Sequence, residues 1–119
     1  MNATHNKLFE PITWHDFEKV ELRVGTIVDA KIFEEARKPA YQIWADFGDF
    51  GILKSSAQIT QHYTCQSLIG QQIVGVINFP PKQIGPFISE FLVTGFADEK
   101  GFIVLNQPHK PVPNGQKLI

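Results

Sequence analysis

The sequence predicts a mainly β protein: a small barrel of five strands, with a short helix before the first strand and another between the third and fourth. Three observations support this prediction. Apolar and polar residues alternate over residues 20–32, a second alternation covers residues 41–47, and turn-forming residues separate the short apolar segments that follow. With 119 residues, 43% of them hydrophobic, the chain is long enough for one domain with its own core.

A capping box predicts the N-terminal helix. Thr13 is followed three residues later by Asp16, a pattern that opens a helix over residues 14–19. The residues before it carry no strand or helix signal. We therefore expect residues 1–12 to form a flexible lead and residues 13–119 to form a single domain.

The first strand is long and is expected to bend. Gly25 lies in its middle, where the missing side chain allows a sharp bend. A first strand that bends and serves both ends of a small barrel is typical of the OB fold. The apolar face of this strand is predicted to carry Val20, Leu22, Val24, Thr26, Val28, Ala30 and Ile32.

The remaining segments fit the same barrel. Residues 57–70 show no alternation and predict the helix between the third and fourth strands, where an OB barrel carries one. Residues 78–89 contain two consecutive prolines and are expected to form a long irregular connection. The other predicted strands cover residues 41–47, 52–56, 72–77 and 91–97, and residues 102–105 complete a last hairpin with residues 91–97.

Charge and motifs favour a binding protein over an enzyme. The net charge is −1, so no strong overall field attracts nucleic acid or anionic lipid. There is no phosphate loop or dinucleotide fingerprint. His62 and Cys65 have the spacing of a metal-ligand pair but lack two further ligands, so we expect no metal and no cofactor. Ser55 and Ser56 have no base nearby in sequence, and hydrogen bonding at a strand end is their expected role.

The cysteine content and the apolar segments indicate a cytoplasmic protein without membrane insertion. Cys65 is the single cysteine, so no intrachain disulfide is possible. No apolar segment approaches the length that spans a membrane. Residues 1–7 lack the apolar centre of a signal peptide.

The end of the third strand and the connection after the fourth form the candidate binding surface. Here Lys54 and Ser56 accompany the apolar side chains of residues 78–89. Apolar side chains beside a few hydrogen-bond donors suit an extended peptide or an unpaired base. Packing of Phe79 and Phe87 onto the barrel or a second subunit is the alternative that these residues leave open.

Several sequence blocks, in order along the chain, are specific enough to compare with known families. They are ELRVGTI at residues 21–27, KSSAQIT at residues 54–60, VINFPPK at residues 76–82 followed by Ser89-Glu90, and PVPNG at residues 111–115. Together they resemble the tRNA-binding OB domains attached to some synthetases. In their details they resemble the CsaA branch of that superfamily, which is described as an export-related chaperone. The resemblance covers about residues 14–119.

This resemblance implies a homodimer that binds unfolded polypeptides or preproteins in support of protein export, with the export motor as a further partner. The N-terminal helix and parts of the barrel edge build the dimer in such proteins. The peptide-binding residues that it implies are Ser56, Asn78, Phe79, Lys82, Phe87, Ser89 and Glu90.

Binding of tRNA is the alternative function. Its candidate residues are Arg23, Lys54, Ser56, Asn78, Lys82 and Ser89. The tRNA-binding relatives carry a basic run after the asparagine, whereas here Lys82 stands nearly alone and Pro86 occupies the usual glycine position. Because each lost phosphate contact weakens binding, polypeptide is the expected partner and tRNA the second.

Overall fold

The computed structural model describes residues 8–119, so the first seven residues of the predicted lead lie outside the described part. Both predicted helices and the predicted strands are present in the expected order, but the strand predicted over residues 91–97 is divided into two, and two further strands lie within residues 78–89. In chain order the helices and strands are α1 (Trp14–Glu18), β1 (Leu22–Ile32), β2 (Tyr41–Asp46), β3 (Ile52–Ala57), α2 (Cys65–Leu68), β4 (Gln72–Val76), β5 (Lys82–Ile84), β6 (Phe87–Ser89), β7 (Leu92–Val93), β8 (Gly95–Ala97) and β9 (Ile103–Leu105).

Five strands form one antiparallel sheet in the order β3-β2-β1-β4-β7. The long strand β1 is shared: residues 26–32 pair with β2, and residues 22–26 pair with β4. The sheet curls until the segment before β7 reaches β3, where the Glu90 N–H donates to the Lys54 carbonyl at 2.7 Å. This nearly closed barrel, with α2 between β3 and β4, is the OB fold that the sequence predicts.

The first strand changes register at Val28, and the bend predicted at Gly25 stays a prediction. The pairing of β1 with β2 shifts just after Ile27, which is the mark of a β-bulge. A bulge inverts the alternation beyond it. Ile27 before the bulge and Ala30 after it both pack in the main core, so the core-facing residues change there from odd to even numbers. Val28 and Ile32, both predicted on the apolar face, are exposed. Gly25 allows close packing, since a Cβ atom there would lie 2.8 Å from the Phe47 ring.

The barrel encloses the main core, and a smaller cluster lies outside it. Phe47 is fully buried at the centre, and its ring meets that of Phe91 edge-on at 4.9 Å. Leu68 of α2 closes one end of this core. The smaller cluster joins the loop between β1 and β2 to the β5–β6 hairpin through Phe33 and Phe87.

The connection over residues 78–89, predicted to be irregular, contains a regular hairpin. Strands β5 and β6 pair from Lys82↔Ser89 to Ile84↔Phe87. Gly85 has a φ of 58°, and only glycines have a positive φ in the described chain. The Gly85-Pro86 turn is therefore of type II′, in which glycine takes the first central position. Pro86 fits the second position of this turn.

The N-terminal helix has the predicted cap. The Thr13 hydroxyl accepts from the Asp16 N–H at 3.1 Å, and the Asp16 carboxylate accepts from the Thr13 N–H at 3.1 Å. The helix ends at Glu18, one residue earlier than predicted. No helix within residues 8–119 is long and apolar enough to cross a membrane.

The C-terminal segment runs along the first residues of β1. It lies on the side of β1 where β2 pairs only from residue 26 onwards. The Gly115 N–H donates to the Val24 carbonyl at 2.7 Å, and the Leu118 N–H donates to the Leu22 carbonyl at 2.8 Å. Between them, the Val24 N–H donates to the carbonyl of Gln116 at 3.0 Å. The segment thus extends the sheet as an added strand.

Candidate binding site

Strands β3 and β7 are the two outermost strands of the sheet, and in the described chain no ladder joins them. We call the gap between them the seam. Two residues before β7 bridge it. Glu90 bonds the backbone of Lys54, and the Phe91 carbonyl accepts from the Ser55 hydroxyl at 2.7 Å.

An open pocket of about 440 Å³ lies over the seam, between β3 and the β5–β6 hairpin. We call it the apolar pocket, because half of its lining residues are large and apolar. Phe79 forms its outer wall with 55% of the residue exposed. The lining residues are Ser55, Ser56, Phe79, Pro80, Lys82, Ile84, Ser89, Glu90, Phe91 and Leu92.

Most polar groups of the apolar pocket are engaged within the protein. The hydroxyls of Ser55 and Ser89 both donate to the Phe91 carbonyl, at 2.7 and 3.3 Å. The Glu90 carboxylate accepts from the Lys54 N–H at 3.1 Å. These bonds hold the two sides of the pocket together and leave its wall mainly apolar.

A second pocket, of about 620 Å³, continues from the first. We call it the basic pocket, because Lys38 and Lys82 are its charged lining residues and no carboxylate of the described chain lines it. Neither lysine forms an ion pair within residues 8–119. The two pockets share Ser56, Lys82, Ile84 and Leu92. They form one groove, with Glu90 in the apolar part and two lysines in the other.

The structure brings five of the seven predicted peptide-binding residues together. Ser56, Phe79, Lys82, Ser89 and Glu90 all line the apolar pocket. They come from β3, the β5–β6 hairpin and the segments on either side of that hairpin. Whether they bind peptide stays a prediction, but their convergence on one groove was not visible in the order of the sequence.

Asn78 is placed elsewhere, as a link between two backbone segments. Its side-chain oxygen accepts from the Glu21 N–H at 3.1 Å, and its amide nitrogen donates to the Lys19 carbonyl at 2.7 Å. Both ends of the amide are thereby used. Asn78 fixes the start of the connection after β4 and does not line the groove.

Phe87 is placed behind the groove, not in its lining. Only 7% of the residue is exposed, and its ring packs against Phe33 at 5.4 Å and Trp44 at 6.1 Å. The Lys54 ammonium lies 5.2 Å from the centre of the same ring. Phe87 therefore holds the hairpin that forms one wall of the groove.

Arg23, predicted as an RNA-binding residue, is engaged at the other edge of the sheet. Its guanidinium donates to the Glu21 carboxylate at 2.6 Å and to the Gly115 carbonyl at 3.0 Å, and it lies over the Phe50 ring at 4.8 Å. The hydrogen bond from Arg23, followed by one from Lys117, lowers the pKa of Glu21. This cluster secures the C-terminal segment.

Several groove residues were missed by the sequence analysis. Lys38 comes from the loop between β1 and β2, which carries no binding motif. Ile84 and Leu92 line both pockets. In the sequence Ile84 lies in the connection predicted to be irregular and Leu92 in a predicted strand, and neither was proposed to bind. Pro80 indicated only the end of a strand. Its place within the NFPPK block was the one sign in the sequence that Pro80 belongs to a binding surface.

The side chains that could bind a metal ion or act in catalysis are not gathered in one site. Within the described chain no group of His, Cys, Asp or Glu residues is arranged to hold a metal ion. The His62 imidazole bonds the Asp98 carboxylate at 2.7 Å, which lowers the pKa of Asp98. Burial raises the pKa of the Cys65 thiol and so opposes formation of a nucleophilic thiolate.

Comparison with known proteins decides the family. A family model described as a putative tRNA binding domain matches residues 22–117. The crystal structure of chaperone CsaA from Bacillus anthracis str. Ames is 49% identical, with a TM-score of 0.86 over 92% of this chain and 99% of that one. The chain belongs to the CsaA branch of the tRNA-binding-domain family. The CsaA chaperone protein of Picrophilus torridus is 45% identical, with a TM-score of 0.84 over 92% of this chain and 100% of that one.

More distant relatives of the CsaA branch are parts of longer enzymes. The methionine–tRNA ligase of Leptospira biflexa is 36% identical over 89 residues, which is 75% of this chain and 13% of the ligase. The ligase of Porphyromonas gingivalis is 27% identical over 110 residues, which is 92% of this chain and 16% of the ligase. The chain thus spans under a fifth of these ligases.

Proposed function

We propose that this chain is a CsaA-type chaperone that binds unfolded polypeptides in the apolar pocket. The observation that carries the proposal is the lining of that pocket by Phe79, Pro80, Ile84, Phe91 and Leu92. A concave apolar surface with few polar groups accepts many apolar side chains, because it lacks the fixed hydrogen bonds that would select one. Low selectivity suits a protein that holds unfolded chains.

The proposed clients are preproteins, and the export motor is a proposed further partner. Two features of the groove support an unfolded client over a folded one. Its apolar and basic parts are continuous, so a segment of several residues can lie along it. Its apolar wall includes the half-exposed Phe79, which a client side chain can cover.

A homodimer is part of the same proposal, and exposed apolar residues around α1 support it. The Lys117 ammonium donates to the Glu18 carbonyl at 2.8 Å, so the C-terminal end lies beside this helix. Exposed apolar residues on neighbouring segments are typical of interfaces. A dimer would present two grooves to one client and gain affinity through effective concentration. The exposed residues of these two segments are Leu8, Phe9, Ile12, Trp14, Leu118 and Ile119.

Sedimentation equilibrium tests the dimer. We expect twice the chain mass of 13.4 kDa for the native protein and a shift towards the mass of a single chain for Trp14→Lys. Phe96→Lys is the matched control, because Phe96 is similarly exposed but lies on β8. A native protein at monomer mass would contradict the proposed dimer and leave the groove proposal standing.

The chaperone proposal is tested by titrating the protein with one fluorescently labelled, permanently unfolded polypeptide. Phe79→Ala is expected to raise the dissociation constant about tenfold, which corresponds to about 1.4 kcal/mol of lost apolar contact. Phe96→Ala removes another exposed ring, outside the groove, and is expected to leave binding unchanged. Equal effects of the two substitutions would remove the apolar pocket from the proposal.

Binding of tRNA is the second candidate function, favoured by the family model over residues 22–117. In the described chain Lys38, Lys54 and Lys82 form no ion pairs, and Lys54 lies over the Phe87 ring. Arg23 differs from them, because Glu21 and Gly115 already bond its guanidinium.

A bulk tRNA titration over a range of salt concentrations tests this candidate. If tRNA binds through this surface, a Lys38→Gln, Lys82→Gln double variant should lower the salt slope by about two phosphate contacts. Lys100→Gln, on the β8–β9 turn, is the control. The protein could bind tRNA at moderate salt and fail to bind the unfolded polypeptide. That result would make tRNA binding the proposed function in place of polypeptide binding.

A further inference from the structure

We propose that the groove selects client segments that carry an acidic side chain near an apolar one, with the carboxylate bound by Lys38 and Lys82 in the basic pocket. This inference rests on the proposed function and names the class of polypeptide segment that the same groove prefers. The apolar side chain enters the apolar pocket, and the charge of its neighbour gives the client a defined position along the groove.

The two lysines come from separate elements that one apolar cluster holds together. Lys38 lies in the loop between β1 and β2, whose ends are joined by the Phe33 N–H, which donates to the Ala40 carbonyl at 3.0 Å. Both of these loop ends are buried against Phe87 of the β5–β6 hairpin. Lys82 belongs to the same hairpin. Packing within the protein therefore brings the two lysines to one pocket before any ligand binds.

The positive charge of the basic pocket is not neutralised by the described chain. No carboxylate of residues 8–119 lines the pocket, and neither lysine forms an ion pair there. Glu34 and Glu35 belong to the same loop as Lys38, but both are exposed and neither lines the pocket. Because two ammonium groups repel each other, they favour an anionic ligand that lies near both.

The apolar part of the groove carries the opposite charge. Glu90 lines the apolar pocket, and its carboxylate accepts from the Lys54 N–H at 3.1 Å but forms no ion pair in the described chain. A second carboxylate in this pocket would be repelled, and the same carboxylate in the basic pocket would be attracted. The charges of the groove therefore fix where an acidic client residue lies.

The two pockets are close enough to be filled by one short segment. They share Ser56, Lys82, Ile84 and Leu92 as lining residues. Side chains on one face of an extended chain are two residues apart, which corresponds to roughly 7 Å. An apolar residue and an acidic residue at this spacing can therefore occupy the neighbouring pockets.

This arrangement of charges favours a polypeptide over a nucleic acid as the anionic ligand. A nucleic acid strand carries a phosphate on every nucleotide, so a strand along the groove brings negative charge to Glu90 as well as to the lysines. A polypeptide can place one carboxylate in the basic pocket and an apolar side chain beside Glu90. The net charge of −1 adds no attraction for either ligand, so a preference for acidic segments has to arise within the groove.

Matched peptides that displace the labelled unfolded polypeptide test the inference. Each is a nine-residue peptide of Gly and Ser that contains one Phe and, two residues from it, Glu, Gln or Lys. The variable residue precedes the Phe in one set and follows it in the other, so both chain directions are covered. In the better set the native protein should bind the Glu peptide roughly threefold to tenfold more tightly than the Gln peptide, and the Lys peptide most weakly. High salt should reduce this difference.

The outcomes separate the inference from the function on which it rests. Equal binding of the Glu and Gln peptides in both sets would overturn the inference, and tRNA binding that depends on the two lysines would then assign the basic pocket to nucleic acid. Failure of every peptide to displace a bound unfolded polypeptide would equally overturn it. Absence of binding by the unfolded polypeptide itself would instead contradict the proposed function.

Charge reversal in the protein supplies a second measurement. Both lysines are exposed, so the Lys38→Glu, Lys82→Glu variant should keep the fold, which thermal denaturation checks. It should bind the Lys peptide more tightly than the Glu peptide, and the milder Lys38→Gln, Lys82→Gln variant should bind the Glu and Gln peptides equally. Lys100→Glu, on the β8–β9 turn, is the matched control and should keep the native preference. A folded double variant that still prefers the Glu peptide would overturn the inference, because the carboxylate would then bind elsewhere.

Discussion

Two edges of the same sheet end in different ways. The edge of β1 that β2 leaves is covered by the C-terminal segment, through backbone bonds of 2.7–3.0 Å at Leu22 and Val24. The edges of β3 and β7 face each other across the seam, bridged through Glu90 and Phe91. The first edge is closed by a backbone ladder to the chain's own end, whereas the second has no ladder within residues 8–119 and lies beside two pockets.

This difference indicates where the chain can accept a partner. Exposed strand edges favour aggregation, and proteins usually cover or interrupt them. Here the covered edge is also stabilised by ion pairs, since Glu21 bonds both Arg23 and Lys117. The seam is flanked by Phe79 and by lysines without ion pairs in the described chain. We infer that the groove over the seam serves binding and that the closed edge serves stability.

The largest expected effect concerns the hairpin wall of the groove. Phe87→Ala removes a ring that packs between Phe33 and Trp44 and should lower the free energy of unfolding by about 3–5 kcal/mol. Urea denaturation followed by tryptophan fluorescence measures it.

The neighbouring residue provides the control for Phe87. Ile88 is exposed on the same strand, and Ile88→Ala should cost well under about 1 kcal/mol. A small effect of Phe87→Ala would mean that the hairpin does not depend on the cluster behind it. Because the substitution acts on folding, a loss of client binding in this variant would not assign Phe87 to the groove.

The second effect concerns the closed edge. Gly115 has a φ of 91°, and a Cβ atom there would lie 2.8 Å from the Phe47 carbonyl oxygen. Gly115→Ala should therefore lower the free energy of unfolding by roughly 2–3 kcal/mol, through backbone strain together with the clash. Thermal denaturation compares the variant with the native protein.

Gly101→Ala isolates the contribution of the backbone. Gly101 has a similar φ of 81°, but beyond its chain neighbours no atom lies within 4 Å of where the methyl group of an alanine would be, so roughly 1 kcal/mol is expected. Equal losses for the two variants would show that the C-terminal segment moves aside without cost. A larger loss for Gly115→Ala would show that the closed edge is held tightly.

Much of the fold could be predicted from the sequence, because its signals are local. The alternation over residues 41–47 is confirmed by β2, and the Thr13–Asp16 capping box is confirmed by α1. The bulge at Val28 was not predictable, because the apolar alternation continues through the even-numbered residues from Val20 to Ile32 without a break. Only the pairing with β2 shows the change of register.

The candidate site was less predictable, because its residues depend on distant contacts. Phe79 and Phe87 lie in the same connection and look alike in the sequence. The hairpin register and the distant Phe33 decide that Phe79 faces the groove while Phe87 is buried. Lys38 was missed for the same reason, since it reaches the groove from the loop between β1 and β2.

The smallest expected effect is a pH dependence at the closed edge. Hydrogen bonds from Arg23 and then Lys117 lower the folded-state pKa of Glu21 below 4.5. A carboxyl group with a lowered pKa stabilises the fold above its unfolded pKa, and this stabilisation is lost as the pH falls through the folded pKa. Glu21→Gln should thus be less stable than the native protein near pH 7, and the difference should shrink below about pH 4.5.

Urea denaturation at several pH values between about 3 and 7 measures this difference, with Glu99→Gln as the control. Glu99 is exposed and has no ion pair within residues 8–119, so its substitution should leave the acid dependence unchanged. A constant difference between Glu21→Gln and the native protein across this range would show that the Glu21 charge does not hold the C-terminal segment. The backbone bonds at Leu22 and Val24 would then account for closure of this edge without assistance from charge.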